Sequence, residues 1–506
     1  MPAARAESGR PIANGSGEGG EVSSEKPKVS PEFVCPRLTE TRELPSLTSP
    51  FAEGGKKHGY GLGQKFVADD DCVLLNALRY ESLECEGNPH AEGCELNLDD
   101  DFADEASARD PSEWRAQWAM RAGPRETIHF EPSECKAAIV TCGGLCPGLN
   151  DVIRQLVITL EEYGVRDVKG IKYGFRGFVE REGELREPIA LTAKSVDTIH
   201  LNGGSVLGSS RGGSDVAFIV DAVQEMDLDF LFVIGGNGSH AGALAIDALL
   251  RERDYKTAVV GVPKTIDNDI LLLDRTFGFQ TAVDEAIKAV RSAAIEARSA
   301  RNGVGLVRLM GRQSGFIATH AALASGEVDV CLIPEIDTPL EGPGGVIAHV
   351  RRVLERKEHC VVVCAEGAGQ DILGALGETD ASGNPVLQNF AKFLREALRR
   401  ELGDLDPDIK YIDPTYMVRA RQTNASDAIY CSILGQNAVH AAFAGLTGVT
   451  VGLCNGHYVY LPVPPLIKRA REVDPNGRMW QRLRLAINQP VFDSARAPEA
   501  EGKSAR

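Results

Sequence analysis

The densest chemistry lies in "GVPKTIDNDI" (261–270), where Lys264, Thr265, Asp267 and Asp269 fall within six residues after an apolar, β-branched run. Two carboxylates at i and i+2 in an extended turn can take separate jobs. One abstracts a proton from an alcohol, while the other helps to organise a cation or the substrate. An Asx-rich turn capping a helix would explain Asn268 and one aspartate. It does not explain a lysine and two aspartates at the end of a buried strand.

Further candidates sit in other turns. "LMGRQSGFIATHAAL" (309–323) opens a helix with Gly311 and Arg312, "AEGAGQ" puts Glu366 at a strand end, and "KYIDPTYMVRARQTNASD" (410–427) gathers Lys410, Tyr416, Arg419 and Arg421. Arg312, Lys410 and Arg419 can surround a sugar phosphate, with Glu366 and Tyr416 taking hydroxyls. Each could separately be a surface ion-pair partner; their joint occurrence at strand ends favours a site. In "TCGGLCPGLNDVIRQLV" (141–157), Gly143, Gly144 and Gly148 let backbone approach a ligand where a helix start favours an anion. "NGGSVLGSSRGG" (202–213) offers Arg211 as a phosphate clamp, or as an ordinary surface arginine.

"FLFVIGGNGSHAGA" (230–243) reads as strand, glycine turn and helix, without a lysine in the turn. Asn237 stands where a metal-holding carboxylate would be expected, and His240 is read as a capping or surface residue rather than a ligand. Neither "GGNGSHAG" nor "GGLCPG" fits GxxxxGK[ST], and "GGLCPG" also misses the GxGxxG spacing. A Walker-type NTPase and a dinucleotide fold are therefore disfavoured.

The elements that must position these groups alternate β and α. Strands are predicted at 137–142, 168–173, 230–236, 257–263, 303–311, 328–334 and 360–367, each short and apolar, most followed by a helical pattern with glycine at the junction. Continuous apolar strands separated by helices imply parallel sheets covered on both faces, with ligands beyond the strands' carboxyl ends. Residues 1–57 are rich in Gly, Ser, Pro and Glu without periodicity and read as disordered; 86–110 holds the acidic run "DDDFADE", a solvated loop; and the tail 495–506 reads as mobile.

A chain of 506 residues exceeds one compact core, so two or three domains are expected. No apolar run approaches the roughly 20 residues that span a bilayer. The net charge of -17 argues against nucleic acid and anionic membranes as partners. The 12 cysteines are scattered; Cys331, Cys360, Cys364 and Cys454 lie in apolar runs, and no paired CxxC motifs suggest zinc. The CxxxC of Cys142 and Cys146 is a weak metal signal. This usage fits a reducing compartment. The start "MPAARAESGRP" has no apolar core for secretion; its small residues and arginines hint at a transit peptide, which Glu7, Glu18, Glu21 and Glu25 weaken. The expected location is cytoplasmic, with the plastid as alternative. Cys72, Cys85 and Cys94, near the acidic extension, could pair in a redox switch, although ordinary unpaired cysteines are the simpler reading.

Taken in order, "GGLCPGLN", "SSRGG", "IGGNGS", "PKTIDND", "MGRQSGFIA", "AEGAGQ" and "YIDPTYMVR" resemble the phosphofructokinase family, nearest the plant-type ATP-dependent branch and similar in style to the trypanosomal enzymes. The resemblance covers roughly residues 121–464. It implies two similar doubly wound, Rossmann-like parallel-sheet α/β domains with the active site in the cleft between them. Residues 134–302 plus about 420–480 would bind nucleotide, 303–419 would bind sugar phosphate, and 58–133 would form an N-terminal extension. The implied reaction is glycolytic phosphorylation of D-fructose 6-phosphate to fructose 1,6-bisphosphate by Mg2+ and ATP. The family habit implies a homo-oligomer, tetramer or dimer.

By motif, Asp267 resembles the general base for the sugar 1-hydroxyl and Asp269 its supporting carboxylate, with Thr265 and Arg312 stabilising the transferring phosphoryl. Ile266, Met310, Gly311, Glu366, Lys410, Tyr416, Met417, Val418 and Arg419 align with the sugar-phosphate pocket. Gly144, Arg211, Gly212, Gly236, Asn237, Gly238 and Ser239 align with nucleotide binding, Asn237 also with the magnesium. The family usually has aspartate at Asn237; a neutral amide still offers oxygen but no charge. Lys264 follows the pyrophosphate-dependent pattern, whereas those relatives carry aspartate at Gly238, which would crowd and repel an α-phosphate. Gly238 therefore points to ATP. The alternatives are a pyrophosphate-dependent enzyme and a catalytically weak regulatory subunit. The bacterial arginine ahead of "MGR" falls near Gly303, so its partner-subunit phosphate contact is not carried over.

Overall fold

The computed structural model describes residues 33–52, 66–75, 118–179, 187–211, 215–374, 377–379 and 386–493. Gly212, Cys85, Cys94, the acidic run, residues 1–32 and 53–57 of the predicted disordered segment, and the tail 495–506 lie outside the described residues.

All seven predicted strands form, and they divide between two sheets. The larger runs, in spatial order, Cys72–Leu74, Trp118–Arg121, His457–Pro462, Val449–Cys454, Ala258–Pro263, Phe230–Gly235, Lys136–Thr141, Asp167–Ile171 and Ile189–Ala190. Its middle is parallel and its margins antiparallel. The smaller sheet is parallel throughout, in the order Val330–Leu332, His359–Ala365, Gly303–Leu309 and Ile409–Ile412. Phe230–Gly235 and Ala258–Pro263 are buried along their whole length, which is why they read as unbroken apolar runs. Truncating Phe230, fully buried beside Phe130 and Phe443, would cost about 3–5 kcal/mol.

The helix Phe279–Ser299 ties the two sheets together. It buries Ala282, Ala286, Val290, Ala293 and Ala297 in the main core, which continues to Val307 and Val363 of the smaller sheet. Small residues let it ride close to the next strand: a Cβ on Gly305 would lie 2.6 Å from Ala293 O. That approach sets the height of Arg308 and the turn beyond it.

Two sequence expectations change, and one element was not foreseen. Residues 33–52 are ordered, not disordered: Phe33, Cys35 and Leu38 are buried, Leu38 N donates to Gly445 O at 2.8 Å, and Leu47–Thr48 pairs with Thr127–Ile128. Their apolar side chains dock singly from short 3-10 turns and irregular stretches, so no period of 2 or 3.6 marks them. Strand 168–173 stops at Ile171, because Tyr173 and Gly174 turn with φ of 57° and 68°. The hairpin Val449–Cys454 to His457–Pro462, unread in the sequence, returns the chain to the larger sheet.

Candidate functional site

The carboxyl ends of the two sheets face a cavity of about 840 Å³. One wall comes from 143–145, Tyr173, 203–205 and 208–211, the other from Arg308, Glu366, Thr415, Tyr416 and Arg419. Of the predicted residues, Gly144, Arg211, Glu366, Tyr416 and Arg419 line it directly. A Cβ on Gly144 would lie 3.7 Å from the Arg211 guanidinium and 3.9 Å from that of Arg419, so both cations converge on this glycine. The loop carrying Arg211 is fastened at several points: Gly143 N donates to Ser210 O at 2.9 Å, Ser209 Oγ to Gly143 O at 2.6 Å, and Ser210 Oγ to Tyr173 O at 2.6 Å.

Lys264 connects this wall to the 264–269 turn. Its ammonium donates to Gly144 O at 2.9 Å and would meet a Cβ on Gly143 at 3.0 Å. Burial pushes its pKa down, against the pull of Cys146, Cys142, Asp267 and Asp269. Beyond it, Asn268 has φ of 60°, is buried, and accepts from Thr276 N at 2.9 Å. Asn268 is thus the structural member of the turn, which leaves Asp267 and Asp269 on either side. Thr265 Oγ1 accepts from Asp267 N at 3.2 Å.

Asp267 is half-buried as a residue, but its Oδ1 is sealed from solvent and accepts no hydrogen bond. Burial raises its pKa well above the ordinary carboxylate value, reinforced by the charges of Asp269 and Glu366 and opposed by Lys264 and Arg312. Asp269 is also raised, first by burial, while a hydrogen bond from Thr265 pulls the other way. A desolvated carboxyl with an open acceptor position, near two cations, is arranged to receive a proton.

Glu366 and the 310–312 turn extend from neighbouring strands and are cross-tied: Glu366 N donates to Leu309 O and Gly367 N to Gly311 O, both at 2.9 Å. Gly311 has φ of 127°, and a side chain there would strike Ser314 O. Glu366 is engaged by Arg308 at 2.8 Å, and Arg308 also reaches Asp413 at 3.0 Å. The sequence reading missed Arg308, although an arginine near the end of the otherwise apolar strand Gly303–Leu309 was a usable signal. It also missed Tyr173, whose left-handed backbone presents an exposed ring to the cavity and leaves no trace in residue type.

On the other side, Arg419 stacks 4.7 Å from the ring centroid of Tyr416, which is 74% exposed; Met417 is 71% exposed. Val418 and Ile266 are buried in the core, and Met310 packs against it, so the first two can meet a ligand only through backbone. Lys410 does not line the cavity; it pairs with Asp408 at 3.0 Å.

Asn237 opens the helix Asn237–Glu252, whose first turn holds Gly238 and Ser239 and whose N-cap, Gly236, supplies no side-chain bond. A Cβ on Gly236 would sit 3.3 Å from Lys264 O, whereas one on Gly238 meets nothing within 4 Å. His240, expected as a capping or surface residue, is buried: it is 3% exposed, with its ring nitrogens 3.1 Å from Gly236 O and 3.0 Å from Thr450 Oγ1. Burial lowers its pKa. Cys142 and Cys146 are buried, and Cys146 Sγ donates to Phe277 O at 3.2 Å.

The arrangement is that of an α/β protein whose site lies between the carboxyl ends of two sheets. Residues 136–442 match the model described as "Phosphofructokinase", and the chain belongs to the phosphofructokinase family. It is 50% identical over 470 residues to the Arabidopsis thaliana chloroplastic ATP-dependent 6-phosphofructokinase 5, covering 92% of this chain and 83% of that one. It is 42% identical to the Trypanosoma cruzi ATP-dependent 6-phosphofructokinase, over 75% of this chain and 79% of the other. Among solved structures, a pyrophosphate-dependent phosphofructokinase from Marinobacter aquaeolei aligns with a TM-score of 0.59 at 20% identity, covering 73% of this chain and 94% of that one. That likeness concerns the fold.

Proposed function

We infer that this chain transfers the γ-phosphoryl of ATP to the 1-hydroxyl of D-fructose 6-phosphate, giving fructose 1,6-bisphosphate. The observation that carries this reading is the buried, partnerless Oδ1 of Asp267 among Lys264, Arg312 and Asp269. Asp267 takes the hydroxyl proton as the bond to phosphorus forms and that to the leaving oxygen breaks. Arg312 and Lys264 offset charge on the transferring group, and Thr265 holds Asp269 beside the base. Arg419, Tyr416 and Glu366 hold the sugar phosphate, with Arg308 fixing Glu366. Gly144, Arg211 and the uncapped helix start at Gly236, Asn237, Gly238 and Ser239 take the nucleotide phosphates.

Oxygen donors suit magnesium, and the carboxylate of Asp269 and the amide oxygen of Asn237 are the donors at hand. Among the described residues no group of three or more His, Cys, Asp or Glu side chains could hold a metal. When bound, magnesium would neutralise charge on the donor.

ATP is favoured by the open space at Gly238 and by relatives named ATP-dependent at 42–50% identity. A purified-chain assay with Mg-ATP, then Mg-pyrophosphate, tests this. Turnover with pyrophosphate alone overturns the donor assignment, and none with either favours the regulatory alternative.

We further propose residues 134–302 with about 420–480, and 303–419, as the two domains, supported by the chain's return to the larger sheet through Val449–Cys454. A plastid location is supported by two relatives named chloroplastic, whose matches cover 92% of this chain. No described helix is long and apolar enough to cross a membrane. A homo-oligomer, dimer or tetramer, is proposed on the family resemblance and is checked by light scattering of the purified chain.

A further inference from the structure

The base turn and the Arg312 turn belong to different sheets, yet in-line transfer requires them in fixed register. After the hairpin the chain crosses between them. Arg471 N donates to Asp269 O at 2.8 Å, and two residues on Val473 N donates to Glu335 Oε1 at 2.7 Å. The same Glu335 oxygen accepts from Gly315 N at 2.8 Å, at the N-cap of the helix Phe316–Ser325 that follows Arg312. The Arg471 side chain spans the same junction: it donates to Leu273 O at 2.9 Å and lies 5.0 Å from the Phe316 ring centroid. A direct bond, Ser314 Oγ to Asp267 O, is longer at 3.2 Å.

We propose that residues 471–473 are a strap that locks the Asp267 turn to the Arg312 turn, with Glu335 and Arg471 as positioning residues for phosphoryl transfer; this rests on the function proposed above. Glu335 suits a tether better than a packing residue. Its Oε1 gathers two backbone N–H groups from separate segments, while its Oε2 is sealed without a partner. Keeping a largely buried carboxylate half-satisfied is expensive for packing alone. The fit is tight, since a Cβ on Gly315 would come within 3.0 Å of Glu335 Oε2. The strap is anchored beyond this point by Trp480 and Leu483, buried on the helix Arg478–Ile487.

The test uses the full chain, with steady-state kinetics in Mg-ATP and fructose 6-phosphate beside thermal melting. Glu335→Met removes both tethers and is expected to lower kcat about tenfold to hundredfold, the scale of a misplacement near 1 Å, with both KM values within about twofold. Glu335→Gln still accepts both N–H groups and should recover kcat to within about threefold of wild type. Arg471→Met keeps its backbone bond and should lose less, about threefold to tenfold. An unchanged kcat in folded Glu335→Met overturns the strap, as does a loss confined to KM or one that Gln fails to rescue. If Glu335→Met does not fold, Glu335→Asp, one methylene shorter, replaces it, and an unchanged kcat there is equally fatal. Wild-type turnover with unaffected variants rejects the strap alone. No wild-type turnover rejects the functional reading beneath it.

Discussion

Gly238→Asp separates a structural from a ligand-imposed reason for a glycine. A Cβ there meets nothing within 4 Å, and the position is an exposed one in the first turn of the helix Asn237–Glu252. The variant should therefore fold at least as well as wild type. Leaving glycine behind in a helix gains roughly 0.5–1 kcal/mol, and a carboxylate in a first turn adds about 0.3–1 kcal/mol. The penalty falls on the ligand. A carboxylate ~4 Å from a phosphate oxygen feels about 4 kcal/mol of repulsion at an effective dielectric of ~20. Solvent access at this edge reduces that to about half, so the KM for ATP should rise about thirtyfold, on the scale of tenfold per ~1.4 kcal/mol. Kinetics with varied Mg-ATP, beside a melting curve, read both effects. An unchanged KM for ATP in a variant of wild-type stability would refute the donor argument.

Other perturbations address the remaining parts of the site. Asp267→Asn should lower kcat by about 10²–10⁴ while the KM for fructose 6-phosphate stays within about twofold; near-normal turnover removes Asp267 as base. The same raised pKa has a signed consequence for stability. The native state holds this proton more tightly than the unfolded chain, so the cost of the buried charge is present above the folded pKa and relieved as pH falls through it. Asp267→Asn should accordingly melt higher than wild type near pH 8, and this gain should shrink as pH is lowered. In wild type, kcat/KM should fall on the acid side at a pH above the ordinary carboxylate range; a flat profile down to about pH 4 contradicts the assignment. Arg308→Met removes the cation that holds both Glu366 and Asp413, and should raise the KM for fructose 6-phosphate about tenfold, within the cost of stranding a buried charge. An unaltered KM would show that Glu366 keeps its place without it. Asn237→Asp should shift the magnesium dependence of turnover, and an unchanged magnesium titration removes Asn237 from the metal.

Local chemistry and apolar patterning carried the sequence a long way. The strands at 230–236 and 257–263 are legible because both faces are buried, so every position must be apolar. Turns at strand ends are legible because polar side chains and glycines interrupt such runs only where backbone or ligand requires it, as at Gly311 after Gly303–Leu309, with its φ of 127°. "PKTIDND" thus supplied the candidate base, and Gly238 the steric argument for the proposed donor. What the sequence could not carry is anything set by residues far apart in the chain. Phe33, Cys35 and Leu38 follow no period because they dock one at a time against a surface made elsewhere. Arg308 meets Asp413 across 105 residues, and Val473 meets Glu335 across 138, contacts that no local spacing encodes. His240 read as a capping or surface residue because its helix start is polar, yet its ring reaches Thr450 on the sheet strand Val449–Cys454. The sequence by itself singled out the candidate groups for the proposed chemistry, through residue type at strand ends. Only the tertiary structure decided how the two turns bearing Asp267 and Arg312 are held together, because that register is made by a third segment arriving about 200 residues later.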